Sequence, residues 1–564
     1  MRRWLYLPRL FRTRERLLIL GLTLVAVASL TALASRVYLR ITEPRPAVGG
    51  VLREGVLDAP RFVNPLYATA DTDRDLVKLV FSGLITHDAN GEVIMDAAEA
   101  LEVSPDGKSY TVKLRPAIRW HNDSPLTADD VVFTIRTIQD PEYKSPFQSN
   151  WQGVTVEKLG DQTVRFTLRQ PYAPFIENLA IGIIPKHLWE TIPREAAPLS
   201  DLNLKPLGSG PYRFKSFTRL KKGPITAYTL TYSPAYYRGG PFLRRIEFRI
   251  FDNESALISA FERKDITSLV VPLSARTPGA ETAAGKVYPL HPPQIFAVFL
   301  NGNVNPALTR KAVREALSQA IDRERLISES LGGRGQVAAS PLPAGSLGYR
   351  EDLEKPRFDP EAAKRILGAD GWKDENGDGV LERTEGRGRA RKTTELDLAI
   401  ATANVPELLS AAERIAETWQ AIGVKTEVRS LPAKDLEASI IRPRAYPALL
   451  FGEVFGYDPD PFAFWHTSQV KDPGLNIALY SNRKVDEILE EARRTTDREK
   501  RAALYGEFQK IVSDEIGAIF LYTPTRSYIV AAEVRGVSIA PTARSEERFS
   551  QVNEWYIKTR RVLK

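Results

Sequence analysis

Cysteine is absent from the 564 residues. Disulfides, thiol nucleophiles, cysteine-based metal sites and a lipidated cysteine anchor are therefore excluded, although the absence alone does not identify a redox compartment. Histidine is nearly as scarce. The five (His87, His121, His187, His291, His466) show no metal-ligand spacing, and His121 and His187 sit in turn-like contexts that suggest the surface. No phosphate-loop pattern occurs, and Gly208-Ser209-Gly210 lacks the spacing of a nucleophile elbow. No internal repeat is visible. A dispersed basic surface is missing as well. The net charge is +8, but Arg2, Arg3, Arg9, Arg12, Arg14 and Arg16 against Glu15 put +5 of it in residues 1–16, leaving +3 for the rest. The other dense basic run, Arg387 to Lys392, lies in a glycine-containing stretch and reads as a solvated loop. A nucleic-acid binder would show a basic stripe or face, so that class is disfavoured.

What is present is ordinary globular usage, 43% hydrophobic and 26% charged, in a chain long enough for three to four domains of about 150 residues each. Leu17 to Ser35 carries no charge. As a helix it would span about 28 Å, close to the ~30 Å hydrocarbon core. The arginines before it put the N-terminus inside and the remainder outside. Ala32-Leu33-Ala34 would suit signal cleavage, but the apolar run exceeds the roughly 7–15 residues of a signal peptide. An uncleaved anchor is expected. Residues 1–16 form a basic cytoplasmic tail on this reading, 17–35 the transmembrane anchor (or signal peptide), and 36–50 a linker containing Pro44, Pro46, Gly49 and Gly50.

Beyond Val51, short alternating segments mix with amphipathic helices, an α/β pattern. Tyr110 to Arg115 alternates as a half-buried strand does. Thr127-Ala128-Asp129-Asp130 has the form of a capping box, opening a helix with Val131, Val132, Ile135 and Ile138 on one side. Asn305-Pro306 and Asp359-Pro360 each pair a cap residue with proline at the first helical position. Val313, Ala316, Leu317, Ala320 and Ile321 are expected to face the core of the first. Ile415, Trp419 and Ile422 form another stripe, stopped by Gly423 before a strand over 424–428. Helices around 485–494 and 498–514 precede a strand over 518–522.

Several segments together resemble the peptide- and nickel-binding ABC solute-binding proteins, family 5. They are RFVNPLY (61–67), LVFSGLITHDANGEV (79–93), the hairpin and capped helix of 100–135 with its Ser-x-Asp-Gly turn, LGSGPYRF (207–214), YYRGGPFLRRIEFRIF (236–251), VREALSQAIDRERLI (313–327), FDPEAAKRILGADGW (358–372) and IAETWQAIGVKTEV (415–428). The resemblance covers roughly 51–535. It implies an α/β fold of the two-lobed periplasmic-binding-protein type II clam-shell kind with an extra inserted domain, here preceded by one N-terminal transmembrane helix. Lobe 1 would combine 51–76, 206–288 and 525–564, the inserted second domain 77–205, and lobe 2 289–524. It also implies a receptor that closes around a small solute by hinge motion and delivers it to ABC permease subunits in the membrane. A peptide is the expected solute, with no catalysis, no cofactor and a monomeric state. A membrane-anchored peptide sensor is the alternative, and an extracytoplasmic hydrolase a weaker one.

Two stretches carry candidate sites. Residues 455–466 fall where many peptide-binding members of the family carry Trp-x-x-Asp-Tyr-x-x-Pro, whose acid meets a peptide ammonium. Aligning Asp460-Pro461 puts Tyr457 at that acid's position, leaving Asp458 or Asp460 as substitutes. Tyr457, Asp458, Asp460, Trp465 and His466 are the ligand-binding candidates. From the residues alone, Asp460 before Pro461 also suits a helix cap, Asp458 a turn start, and Trp465 the core. Asp374 to Glu385 fits a twelve-position calcium loop through Asp374, Asn376, Asp378, Val380 and Glu385. Gly386-Arg387-Gly388-Arg389 follows in place of an exiting helix, so a plain surface turn is the favoured reading and no metal site is expected.

Overall fold

In the computed structural model of the chain, the described residues are 12–88, 91–221, 223–273, 285–386, 392–456, 458–539 and 544–564. The basic run at 387–391 and Tyr457 lie outside them. Thr13–Ile41 is one 29-residue helix with its apolar side chains exposed, long and apolar enough to cross a membrane. It outruns the uncharged stretch at both ends. Residues 36–50 are accordingly not an irregular linker. The helix continues to Ile41, and Thr42–Ala47 is a strand paired antiparallel with Lys558–Leu563.

Two larger sheets organise the rest. A seven-stranded sheet runs, from edge to edge, Gly285–Leu290, Arg526–Ala531, Ser268–Val271, Val51–Val56, Arg245–Ile250, Ile225–Tyr232, Tyr212–Arg219. Val51–Val56 is parallel to both of its neighbours. A six-stranded sheet runs Gly335–Val337, Ile519–Pro524, Gln294–Leu300, Ala448–Val454, Asp397–Ala403, Lys425–Leu431. Between the strands Val51–Val56 and Tyr212–Arg219 the chain makes an excursion into a third, four-stranded sheet of Ala98–Val103, Ser109–Leu114, Thr163–Leu168 and Val154–Gly160. This is the two-lobed α/β architecture expected.

The chain passes between the two large sheets at two closely spaced places. Strand Gly285–Leu290 is separated from Gln294–Leu300 only by His291-Pro292-Pro293, and Ile519–Pro524 from Arg526–Ala531 only by Thr525. The His291 Nδ1 and Thr525 Oγ1 lie 3.3 Å apart, so the two crossings touch. Short paired crossings of this kind suit a hinge, because a few residues absorb the rotation.

Local chemistry explains the helices. The capping box forms, with the Thr127 N–H donating to Asp130 Oδ2 at 2.9 Å. Helix Ala128–Gln139 buries Val131, Val132, Ile135 and Ile138. Asp359 caps helix Pro360–Ala369 through the Ala362 N–H at 2.8 Å. The Asn305-Pro306 start behaves differently. Asn305 caps only a 3₁₀ turn, Pro306–Thr309, and the α-helix is Lys311–Gln319. The break falls at Arg310, whose extended backbone accompanies a bidentate pairing with Asp370 at 2.5 and 2.6 Å. The stripe Val313, Ala316 and Leu317 is buried regardless. Trp419 in helix Pro406–Gln420 is fully buried and its indole N–H donates to the Leu317 carbonyl at 3.0 Å.

The GSG of 208–210 is a close-approach device. A Cβ on Gly208 would sit 1.9 Å from the Val80 carbonyl oxygen, and the Gly210 N–H donates to that oxygen at 2.8 Å. His121, expected at the surface, is tucked against this crossing. Its Nδ1 accepts from the Gly208 N–H at 3.3 Å, so the Nε2–H donates to the Gly210 carbonyl at 3.0 Å. Burial lowers its pKa to about 4.

Candidate functional site

The loop after strand Ala448–Val454 carries most of the candidate residues. Pro459 and Pro461 restrict its backbone, and Asp460 takes a positive φ of 31°. Asp460 is not a helix cap. Pro461 occupies that position before Phe462–Trp465, with no side-chain cap. The carboxylate of Asp460 instead accepts Arg493 Nε and Nη2, both at 2.8 Å, and the Tyr172 hydroxyl at 2.8 Å. The Arg493 guanidinium lies 3.7 Å from the Phe462 ring centroid and 5.4 Å from that of Tyr172. Burial works against its charge, yet Asp460 outweighs it and the Arg493 pKa rises. Tyr172 follows the four-stranded sheet, whereas Asp460 and Arg493 belong with the six-stranded one. The cluster therefore bridges the cleft between them.

Asp458 is also paired internally. Arg501 Nη2 sits 2.8 Å from its Oδ2 with both side chains under 10% exposed, and the Tyr505 hydroxyl donates to Oδ1 at 3.3 Å. Burial raises the Asp458 pKa, with Arg501 opposing. Trp465 is fully buried, edge-on to Tyr480 and Phe508, with its indole N–H directed at Glu453 Oε2 at 3.3 Å. That places it in the core of the six-stranded lobe rather than on a cleft wall. His466 stacks on Phe462 at 4.0 Å, its Nδ1 accepting from the Ser468 N–H at 3.1 Å, with Glu490 3.5 Å from Nε2. The structure thus brings Asp460, Phe462 and His466 into one cluster and sets Asp458 in a second. Sequence reasoning missed the arginine partners, which stand on helices Arg483–Arg494 and Arg498–Asp514 with nothing local to mark them.

Between the two large sheets lies a cavity of roughly 500 Å³. Thr69, Asp71, Arg74 and Phe147 line one side, Gln294, Val454, Phe455 and Gly456 the other, with Arg526 and Arg544 between. Arg526 pairs with Asp71 at 3.1 Å, and Arg544 Nη2 donates to the Phe455 carbonyl at 3.4 Å, directly across the cleft. Past Arg74, Phe147 and Arg544 it meets a second cavity of roughly 300 Å³ containing Lys78, His87, Trp151 and Glu177. There Glu547 pairs with Lys78 at 2.9 Å. Burial opposes the Glu547 charge, but Lys78 and the nearby His87 bring its pKa down to about 2. A third cavity, roughly 500 Å³, takes Glu177, Asp458, Arg498 and Arg501 into its wall. Apolar walls with a few fixed charges are the usual make-up of a small-solute site.

The Asp374–Glu385 loop is a turn closed by its own backbone. Asp374 accepts the N–H groups of Gly377 and Gly379 at 2.6 and 3.0 Å, and Asp378 that of Val380 at 2.8 Å. Asn376 donates to Glu382 at 2.7 Å, and Glu385 pairs with Arg383 at 2.7 Å. Strand Glu382–Glu385 follows where an EF-hand would have a helix. Among the described residues no group of three or more His, Asp or Glu is arranged to hold a metal ion.

Known proteins share this arrangement. The oligopeptide-binding protein AppA of Bacillus subtilis (strain 168) is 27% identical over 528 residues, covering 91% of this chain and 92% of that protein. The dipeptide-binding protein of Escherichia coli (strain K12) is 25% identical over 573 residues, 95% of this chain and 98% of that one. The structure of AppA with a nonapeptide superposes with a TM-score of 0.72 at 27% identity, covering 91% of this chain and 100% of that one. NikZ of Campylobacter jejuni with Ni(L-His) also gives 0.72, at 26% identity over 90% of this chain and 99% of its own. Residues 92–474 match the family described as bacterial extracellular solute-binding proteins, family 5 Middle, and the chain belongs to that family of binding proteins.

Proposed function

We propose that this protein is the receptor subunit of an ABC importer for peptides or a similar small solute, held at the outer face of the cytoplasmic membrane by helix Thr13–Ile41, and that it captures the solute without converting it. The observation that carries the reading is the cavity walled by both large sheets and spanned by Arg544 to the Phe455 carbonyl. Support for a peptide comes from the relatives whose names specify oligopeptides and dipeptides. Arg74, Arg526 and Arg544 offer charge-assisted donors to a solute carboxylate, and Phe147 and Phe455 an apolar wall. Of the two acids, Asp458 faces a cavity and is the one placed to meet a solute amine in competition with Arg501. Asp460 serves as a clasp with Tyr172. Closure about the paired crossings at 291–293 and 525 presents the loaded form to permease subunits.

Titrating the detergent-solubilised chain with a peptide library, read by intrinsic tryptophan fluorescence, tests the binding. Saturable quenching that weakens in Arg544→Ala is expected. No response to any peptide pool would count against a peptide solute. Alkaline carbonate extraction tests the anchor, and retention in the membrane pellet is expected.

A further inference from the structure

The strand pair beside the membrane helix carries a charge pattern that solute binding does not use. Thr42–Ala47 and Lys558–Leu563 form a two-stranded ladder of their own, joined to neither large sheet. Arg561 fastens it to the helix end. Its Nη2 donates to the Leu39 and Thr42 carbonyls at 3.0 and 2.8 Å, and its Nε to Thr42 Oγ1 at 2.8 Å. The Lys564 N–H adds a bond to the Ile41 carbonyl at 2.9 Å. Cationic hydrogen bonding to the last helical carbonyls is favourable there. The ladder therefore cannot swing freely from the helix.

Residues 36–47 and 558–564 hold seven cationic side chains (Arg36, Arg40, Arg45, Lys558, Arg560, Arg561, Lys564) against the single acid Glu43. All but Arg561 are exposed. Arg45 and Arg560 stand directly opposite each other in the ladder, on the same face as Lys558 two positions along. Like charges directly opposed across an antiparallel pair are destabilising. Glu43 neutralises Arg45 at 2.6 Å, but among the described residues Arg36, Arg40, Lys558, Arg560 and Lys564 have no acidic partner. A folded surface that concentrates unpaired cations at the end of a membrane-length helix lacks its counter-charge.

We infer that this ladder is a basic collar that binds the headgroups of anionic phospholipids at the outer membrane surface and so fixes the solute-binding lobes relative to the bilayer. The inference rests on the anchor reading of Thr13–Ile41, since that helix places the collar at headgroup depth, where each cation is attracted and the attraction decays within a Debye length. It is consistent with the orientation of the helix. Insertion reads charges within about 15–20 residues of the span, and four of the seven cations arrive only when 558–564 folds back after export.

The absence of cysteine makes the test clean. Thr559→Cys, exposed on the ladder, takes a single fluorophore in the full chain, which is placed in nanodiscs carrying a headgroup-level quencher. Strong quenching is expected in discs containing phosphatidylglycerol. It should be lost in pure phosphatidylcholine, in high salt, and in the triple variant Arg45→Gln, Lys558→Gln, Arg560→Gln, which spares Arg561. Equal quenching in both lipids, or quenching indifferent to the triple variant, overturns the inference. Intact mass on the same sample separates this from failure of the anchor. If the helix has been removed, the remaining chain is floated with phosphatidylglycerol vesicles, and flotation lost in the triple variant keeps the collar while its absence ends it.

Discussion

The Tyr172 hydroxyl donates to Asp460 Oδ2 at 2.8 Å and joins the four-stranded sheet region to the six-stranded lobe. Hydrogen bonds to charged groups contribute roughly 1.5–3 kcal/mol. Because Arg493 keeps Asp460 paired when the hydroxyl is removed, Tyr172→Phe should weaken closure without unfolding either side. Solute affinity should drop by about tenfold to a hundredfold. Small-angle scattering with saturating solute checks it, through a larger open fraction than in the parent protein.

Arg548 is 1% exposed and answers two buried acids, Asp75 Oδ1 at 2.7 Å and Glu54 Oε1 at 3.0 Å. This triad ties the segment after residue 544 to strand Val51–Val56 and helix Asp71–Val80. Removing one member of a buried ionic set costs about 3–5 kcal/mol, because the partners stay buried without compensation. Arg548→Ala should lower the unfolding free energy by that amount in chemical denaturation. Arg548→Ala combined with Glu54→Gln and Asp75→Asn should recover part of it.

Desolvation by burial is also the main reason that Asp75 is pushed up to about 7, with Arg548 opposing. Its folded pKa lies above the unfolded value near 3.9. The stability linked to Asp75 is therefore full below about pH 4 and lost as pH rises through 7. Against that trend, His121 is lowered to about 4, below its unfolded value near 6.5, so its contribution is present above about 6.5 and lost as pH falls towards 4. The His121 shift corresponds to about 3 kcal/mol. Unfolding curves at a series of pH values, compared with those of His121→Gln and Asp75→Asn, should show the two slopes disappear separately.

How much of this was legible in the sequence depended on the distance between partners. The Thr127–Asp130 box and the Asp359 cap involve residues three apart, and both formed as expected. At Asn305-Pro306 the start signal caps a 3₁₀ turn and not the α-helix itself. Its apolar stripe is readable, but the break at Arg310 accompanies a pairing with Asp370, sixty positions on. The two-lobed fold was readable from ordered segments of family resemblance. The arrangement around Asp460 was not. Arg493 lies 33 positions away and Tyr172 lies 288, and a lone Asp-Pro pair gives no sign that its carboxylate will face a distant guanidinium instead of the next backbone N–H. His121 reads as a surface residue for the same reason, since its half-buried position is held by contacts with Gly208 and Gly210, 87 and 89 positions on.

The Asp374 loop supplies its own donors, so stability should not depend on calcium. Asp374→Ala removes two turn hydrogen bonds and should cost about 1–2 kcal/mol, at roughly 1 kcal/mol per bond. The loss should be the same with calcium or with chelator. A metal-saturated site would instead add about 2.7 kcal/mol at a hundredfold excess over its dissociation constant, visible as a melting shift that Asp374→Ala abolishes.

Capture of an intact solute is tested most directly by native mass spectrometry of the full chain, released from detergent after exposure to a peptide library. The expected spectrum contains a one-to-one adduct at the unaltered mass of a library member, depleted in Arg544→Ala. Free chain alone, or adducts only at the masses of cleaved fragments, would contradict a receptor that binds its solute between the lobes without converting it.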